Sequence, residues 1–471
     1  MSMDDLPPPL LLEILNRISD STDLARCRLA SKTLKSLSYE VRSLTLICSF
    51  DRYLRSRSPD SKTLTTPFKS IVKKNLLYLS KTLESVSVSI EKPFCDSFEY
   101  DDGEDEYDDL HLTSVDFVSQ WLPEVGERLR SLSISDFWIQ SCWRKSEVLA
   151  LISACCDNSL LNLELKNAWL SVEGLKLMPM LTSLTLEFIR LDDEDLNKVN
   201  ECFPSLQILN LIGVGGFREP KIHLLQLKTC HWTVSNAPLC LAIHAPKLID
   251  LTLKCVKPKV LVLKAPLLSV LDLSIEKPSY DIDVDRFLNL KSLRIESSDP
   301  RTLVRLFPDG RTVEKLVLEA PKQADLFELR EMVDFESLMS TFPNVVTVVM
   351  GPWIYVELEK SFECEDPAVR FGWKRLKKLT VYLVLSELEV TCSFISFVFD
   401  RCSALSDVAM LIHSDVIDDI KNRLISKCLC DWPRVGWRWE CGKKDRKIRG
   451  FATVSNPALL SAISIDKESR G

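Results

Sequence analysis

LAIHAPKLIDLTL, residues 241–253, and LVLKAPLLSVLDL, residues 261–273, align at an offset of twenty residues. Both read L-x-[IL], then Ala-Pro, then L-x-x-L-x-L. Self-similarity at that period belongs to chains that stack one small unit on the next instead of folding around a single core. The L-x-x-L-x-L skeleton, with Val, Ile or Met substituting, also starts at Leu83, Leu129, Leu160, Leu181, Leu206, Leu290, Val313, Val345, Leu376 and Leu405, which with Leu248 and Leu268 makes twelve motifs. Alternation places the fourth and sixth positions on one face of a short strand. The first position turns in from the preceding bend to fill the same core. One unit cannot bury that face alone, so the strands must pair side by side in a parallel sheet, with helical or irregular returns as an outer layer. LDDEDLNKVNECFPSL, from Leu191, predicts one such return: Leu191, Leu196, Val199 and Phe203 form a helical stripe that Pro204 ends.

These motifs resemble the leucine-rich repeat family over residues 80 to 415. The resemblance implies an α/β fold, a solenoid with a curved parallel sheet. The Asn or Cys that such repeats carry three positions past the sixth-position Leu is replaced here by Ala168, Ile189, Val214 and Val256. Without that polar ladder the turns are expected to be irregular. Residues alternating with the core positions form the candidate binding face, among them Lys254, Asp272, Arg294 and Lys315, with Asn162, Glu164, Lys166, Glu296, Val317 and Glu319 beside them. Mixed signs with apolar residues between suit a protein target. A solvated face without a ligand is the alternative.

The chain opens MSMDDLPPPLLLEILNRISDSTDLARCRLASKTLKSL. Asp4 and Asp5 precede the apolar run and Glu13 interrupts it, which is the wrong pattern for a secretory signal. Leu11, Ile14, Leu15 and Ile18 mark one face of a helix entered through Pro7 to Pro9, and Leu10 and Leu12 add a second apolar face. A second helix carries Leu24, Cys27 and Leu29, and a third carries Leu34, Leu37 and Val41. Leu6-Pro7, Ile14-Leu15, Ile18, Leu24, Arg28-Leu29 and Ser31-Lys32 fall in the order and spacing of the F-box, which this stretch resembles over residues 3 to 42. The aromatic usual after the Ser-Lys pair is Leu34 here, and Ala30 stands where valine is usual.

The F-box resemblance implies docking onto a Skp-type adaptor and, through it, a cullin and RING ubiquitin ligase. Leu6, Pro7, Leu11, Ile14, Leu15, Ile18, Leu24, Leu29, Lys32 and Leu34 would make the adaptor contact, and the repeats would hold a protein substrate. A plain helical cap on the first repeat is the alternative use of these helices.

Composition narrows the chemistry. At 471 residues one compact core is too small a solution. Thirteen glycines and five histidines, with no H-E-x-x-H, no P-loop and no G-x-S-x-G, give no basis for nucleotide, zinc-enzyme or hydrolase chemistry. No cofactor, no metal and no catalytic residue is expected; Cys428 and Cys430 read as ordinary thiols, and Gly213 to Gly216 is a weak phosphate cradle. Charges interrupt every apolar stretch, so no membrane span is expected. Sixteen cysteines without a disulfide spacing predict reduced thiols in cytosol or nucleus. The net charge is −7, and Glu99 to Asp109 supplies eight acidic residues, leaving +1 elsewhere; residues 96–110 read as a solvated acidic loop.

From Lys421 to Arg449 ten basic residues, including Lys443, Lys444, Arg446 and Lys447, interleave with Trp432, Trp437 and Trp439. This suits nucleic acid, or a hairpin in which VGWRWEC pairs with KIRGFATV; the hairpin fits the alternation better. The expected organisation is an F-box over 1–45, a linker or connecting helices over 46–80, the solenoid over 81–415 and a C-terminal cap over 416–471. The function it implies is a non-catalytic substrate receptor. A scaffold or nucleic-acid-binding repeat protein is the alternative.

Overall fold

A computed structural model describes residues 6–441 except 19, 50, 53–54, 56–64, 92–110, 137–143, 235–237, 277, 279–280, 309, 321–333, 363–371, 384–387 and 414–415. The acidic loop, the basic cluster at Lys443 to Lys447 and the returning strand KIRGFATV lie outside the described residues. The chain divides into two compact units, the first running to Leu248 together with Val262–Lys264, the second comprising Ile249–Leu261 and the chain from Ala265 onward.

The first unit begins with three short helices, α1 (Pro8–Arg17), α2 (Ser21–Ala30) and α3 (Lys32–Leu37). Prolines fill the first turn of α1, where their missing N–H leaves nothing unsatisfied. Asp20 caps α2 by accepting from the Thr22 N–H at 2.6 Å, and Ser31 caps α3 by accepting from the Thr33 N–H at 3.1 Å. The helical period of Leu34, Leu37 and Val41 would extend the third helix through Val41. Instead α3 ends at Leu37, and Val41, Leu44 and Leu46 are buried as a further V-x-x-L-x-L motif on the strand Ser43–Cys48.

The helices therefore run straight into the sheet. Asn16 accepts from the Arg42 N–H at 3.0 Å, and the α2 cap Asp20 pairs with Thr45 in a parallel bridge, which ties them to the first strand. Six more strands follow in parallel register: Ser85–Ile90, Ser131–Ser135, Asn162–Lys166, Ser183–Glu187, Ile208–Val214 and Thr229–Val234. The last carries a motif hidden from the leucine pattern, Leu227-x-x-Cys230-x-Trp232, all three buried.

The second unit pairs eight parallel strands: Asp250–Cys255, Val270–Ile275, Ser292–Glu296, Lys315–Glu319, Thr347–Met350, Lys378–Leu383, Asp407–Ile412 and Gly436–Cys441. The final strand adds to the sheet in parallel, so sheet structure extends past both ends of the 81–415 span. In all twelve motifs of both units, the first, fourth and sixth positions are buried. The Asp193–Cys202 return is a helix with a reciprocal Asp192/Asp195 cap, and Leu191, Leu196, Val199 and Phe203 lie buried as the stripe requires.

At the ends of three successive strands the bend recurs, although at the third it falls on a bulge inside the strand. The residue two places past the sixth motif position is left-handed each time: Asn167, Phe188 and Gly213, with φ of 56°, 52° and 62°. Turn backbones then bond one another, the Asn167 N–H to the Glu187 carbonyl at 2.9 Å and the Phe188 N–H to the Ile212 carbonyl at 2.8 Å. Backbone-to-backbone bonding replaces the missing side-chain ladder, and Ala168, Ile189 and Val214 are free to be buried. Gly213 and Gly216 belong to this turn system and not to a phosphate cradle.

Burial pushes the thiols of Cys156, Cys230, Cys255, Cys402 and Cys428 up to about 12. An unfolded thiol ionises near ~8.5. The folded state thus keeps protons that the unfolded state releases, and the stabilisation is complete below ~8.5 and lost as pH rises toward the folded values. Stability measured by urea unfolding is expected to decline above about pH 9, and a Cys230→Ser, Cys255→Ser variant to decline less steeply. A flat profile to pH 11 contradicts this.

Candidate partner-binding surfaces

Two surfaces carry the sequence-predicted site residues. The first is the three-helix unit. Leu11, Leu15, Leu24 and Leu34 are buried in its own core. They shape the unit instead of presenting a contact, so charge placed at Leu15 would unfold it. Ile14, Ile18 and Leu6 are half-buried, Pro7 and Lys32 exposed. Leu29 is 89% exposed, the highest value for a large apolar side chain among the described residues, and Leu10 is 54% exposed. Leu10 joins the surface although the helical period singles out Leu11. The end of α2 thus leaves a leucine in water beside a filled core.

The second surface is the polar face of the sheet. In the second unit, the register sets Asp272 directly beside Arg294 and Arg294 beside Val317. Arg294 donates to Glu319 Oε2 at 2.6 Å and lies 3.5 Å from Glu296 and 3.7 Å from Asp272. One guanidinium thus serves three carboxylates. Burial pushes the Glu319 carboxyl up, Arg294 opposes the push, and Glu296 and Asp272 add to it. Asp272 and Arg294 stand side by side on neighbouring strands. Lys254 shares a row with Ser274, and Lys315 stands exposed at the far end of its strand from Glu319, so neither joins them.

In the first unit the same face holds a relay. Ser133 Oγ donates to Glu164 at 2.6 Å, and Lys166 bridges Glu164 at 3.0 Å and Glu187 at 2.8 Å. Burial alone would raise the Glu164 carboxyl, but the Ser133 hydrogen bond and the Lys166 ammonium hold it below the usual carboxylate range.

Trp437 and Trp439 stack at 5.4 Å on the last strand, and Trp432 stacks on Phe399 at 4.8 Å. Their rings are used against one another and the last helix layer. No helix among the described residues is long and apolar enough to cross a membrane.

Residues 3–45 match the F-box domain family. Over 442 residues, 93% of this chain and 97% of the relative, the chain is 46% identical to the F-box/LRR-repeat protein At4g29420 of Arabidopsis thaliana. It is 32% identical over 90 residues, 19% of this chain and 27% of the relative, to the F-box protein AUF2 of the same plant. With an F-box at its start, buried leucines in repeated parallel strands behind it, and this likeness along nearly its whole length, the chain belongs to the F-box/LRR-repeat family.

Proposed function

We propose that the chain is the substrate-recognition subunit of a Skp/cullin/F-box-type ubiquitin ligase. The observation that carries the reading is Leu29 and Leu10 exposed on a helical unit whose core is already filled by Leu11, Leu15, Leu24 and Leu34. Those two leucines, with Pro7, Ile14, Ile18 and Lys32, dock the Skp-type adaptor. The polar sheet faces receive the target protein. The chain itself performs no chemistry: it raises the effective concentration of target lysines at the transfer centre that the adaptor and cullin bring. The direct tie of Arg42 to Asn16 and of Asp20 to Thr45 supports this, because a receptor must hold its adaptor-facing helices at a fixed angle to the first strand.

Affinity purification of the full chain from native extract tests the reading. A Skp-type adaptor and a cullin are expected to accompany it in stoichiometric amounts. Their absence, with the chain folded, overturns it.

A further inference from the structure

Phe188 is out of keeping with its conformation. The left-handed turn position it shares with Asn167 and Gly213 suits asparagine and glycine and strains a bulky side chain. Burial does not offset the strain, since Phe188 is 58% exposed. Gly213 makes room for the ring: a methyl group built on Gly213 would stand 2.7 Å from the Phe188 Cδ1 and 2.8 Å from its Cε1. The turn therefore holds an aromatic ring over a glycine, with much of the ring in water. Strain kept without local return belongs to sites that act on something outside the fold.

The charge beside the ring identifies the ligand chemistry. Glu187 precedes Phe188, and Glu187 and Glu164 share the single ammonium of Lys166. Glu164, Lys166 and Glu187 together keep one net negative charge, and Glu187 adjoins in sequence a ring whose π face itself attracts cations. A guanidinium satisfies both, because its plane stacks on a ring while its edge donates to a carboxylate. Arg190, two residues past Phe188, already shows the first half: it lies 4.5 Å over the Trp169 ring of the preceding turn and is occupied there.

We propose that Phe188 and Glu187 form an anchor for an arginine side chain of the protein target. Assigning that arginine to the target rests on the receptor reading above; the site itself does not.

The test uses the full chain labelled with [15N]glycine, which carries thirteen glycine amides. Gly213 is assigned as the signal that loses its ring-current shift in Phe188→Asn. The probes are acetyl-Gly-Arg-Gly-amide and its citrulline counterpart. The arginine peptide is expected to move the Gly213 signal saturably, with a dissociation constant on the order of 1 mM. The shift should weaken several-fold in Glu187→Gln, and the citrulline peptide should leave the signal in place. Phe188→Asn should abolish the response and raise the thermal midpoint, because asparagine accepts the left-handed turn. A Gly213 signal unmoved by arginine, an equal response to citrulline, or a lowered midpoint in Phe188→Asn overturns the proposal. Failure of the adaptor to bind, with Gly213 still responding, condemns the receptor reading and leaves the site.

Discussion

Trp373→Ala is expected to destabilise the second unit by about 3–5 kcal/mol, among the largest single-residue effects in the molecule. Trp373 is fully buried, ahead of the motif that starts at Leu376. Its Nε1–H donates to the Phe342 carbonyl at 2.9 Å, and its ring sits 5.2 Å from that of Phe335. Phe335 in turn meets Phe394 edge-on at 5.9 Å, and Phe394 meets Tyr355 edge-on at 5.4 Å. Helices Phe335–Thr341, Pro352–Phe362 and Leu388–Arg401 thus converge on one aromatic hub. Truncation opens a cavity too large to close and leaves a carbonyl unsatisfied. Trp373→Phe keeps most of the contact and loses the hydrogen bond, and should cost only about 1–2 kcal/mol. The shift in urea midpoint measures both, and equal effects of the two substitutions would show that ring volume plays no part.

The same hub explains why the outer layer is less readable in the sequence than the sheet. Each of the twelve motifs states its own burial, because a period of two fixes which side chains share a face. The returning helices answer mostly to whatever the stacked strands leave open, and a clear helical stripe such as that of Leu196 and Val199 is the exception. Two motifs escaped for nameable reasons. Val41, Leu44 and Leu46 adjoin a helical stretch, and Val41 falls one helical step after Leu37, so the two periods overlap there. Cys230 and Trp232 stand where leucine is expected, although both are buried like leucine.

The candidate sites divide in the same way. Asp272 and Arg294 were legible as neighbours because motif register alone aligns them. Glu319 completes their cluster through side-chain reach that register does not state. In α1 the run Leu10-Leu11-Leu12 is apolar throughout, so composition does not separate them; the helical period picks out Leu11 for the inward face, and Leu10 is left in water. Phe188 was invisible because φ is not a property of a residue type. A bulky residue in a left-handed turn contradicts local preference, and such contradictions concentrate where a site overrides the fold.

The proposed adaptor contact is made by the exposed leucines of the three-helix unit. Calorimetric titration of a purified Skp-type adaptor into the full chain tests it most directly, comparing wild type with Leu10→Asp, Leu29→Asp. Both side chains are solvent-exposed, so the variant should keep its circular dichroism and thermal midpoint. Each aspartate would be carried unpaired into an apolar contact, and together they should weaken adaptor binding by at least about 100-fold. Adaptor binding at wild-type affinity by the folded double variant would contradict the account.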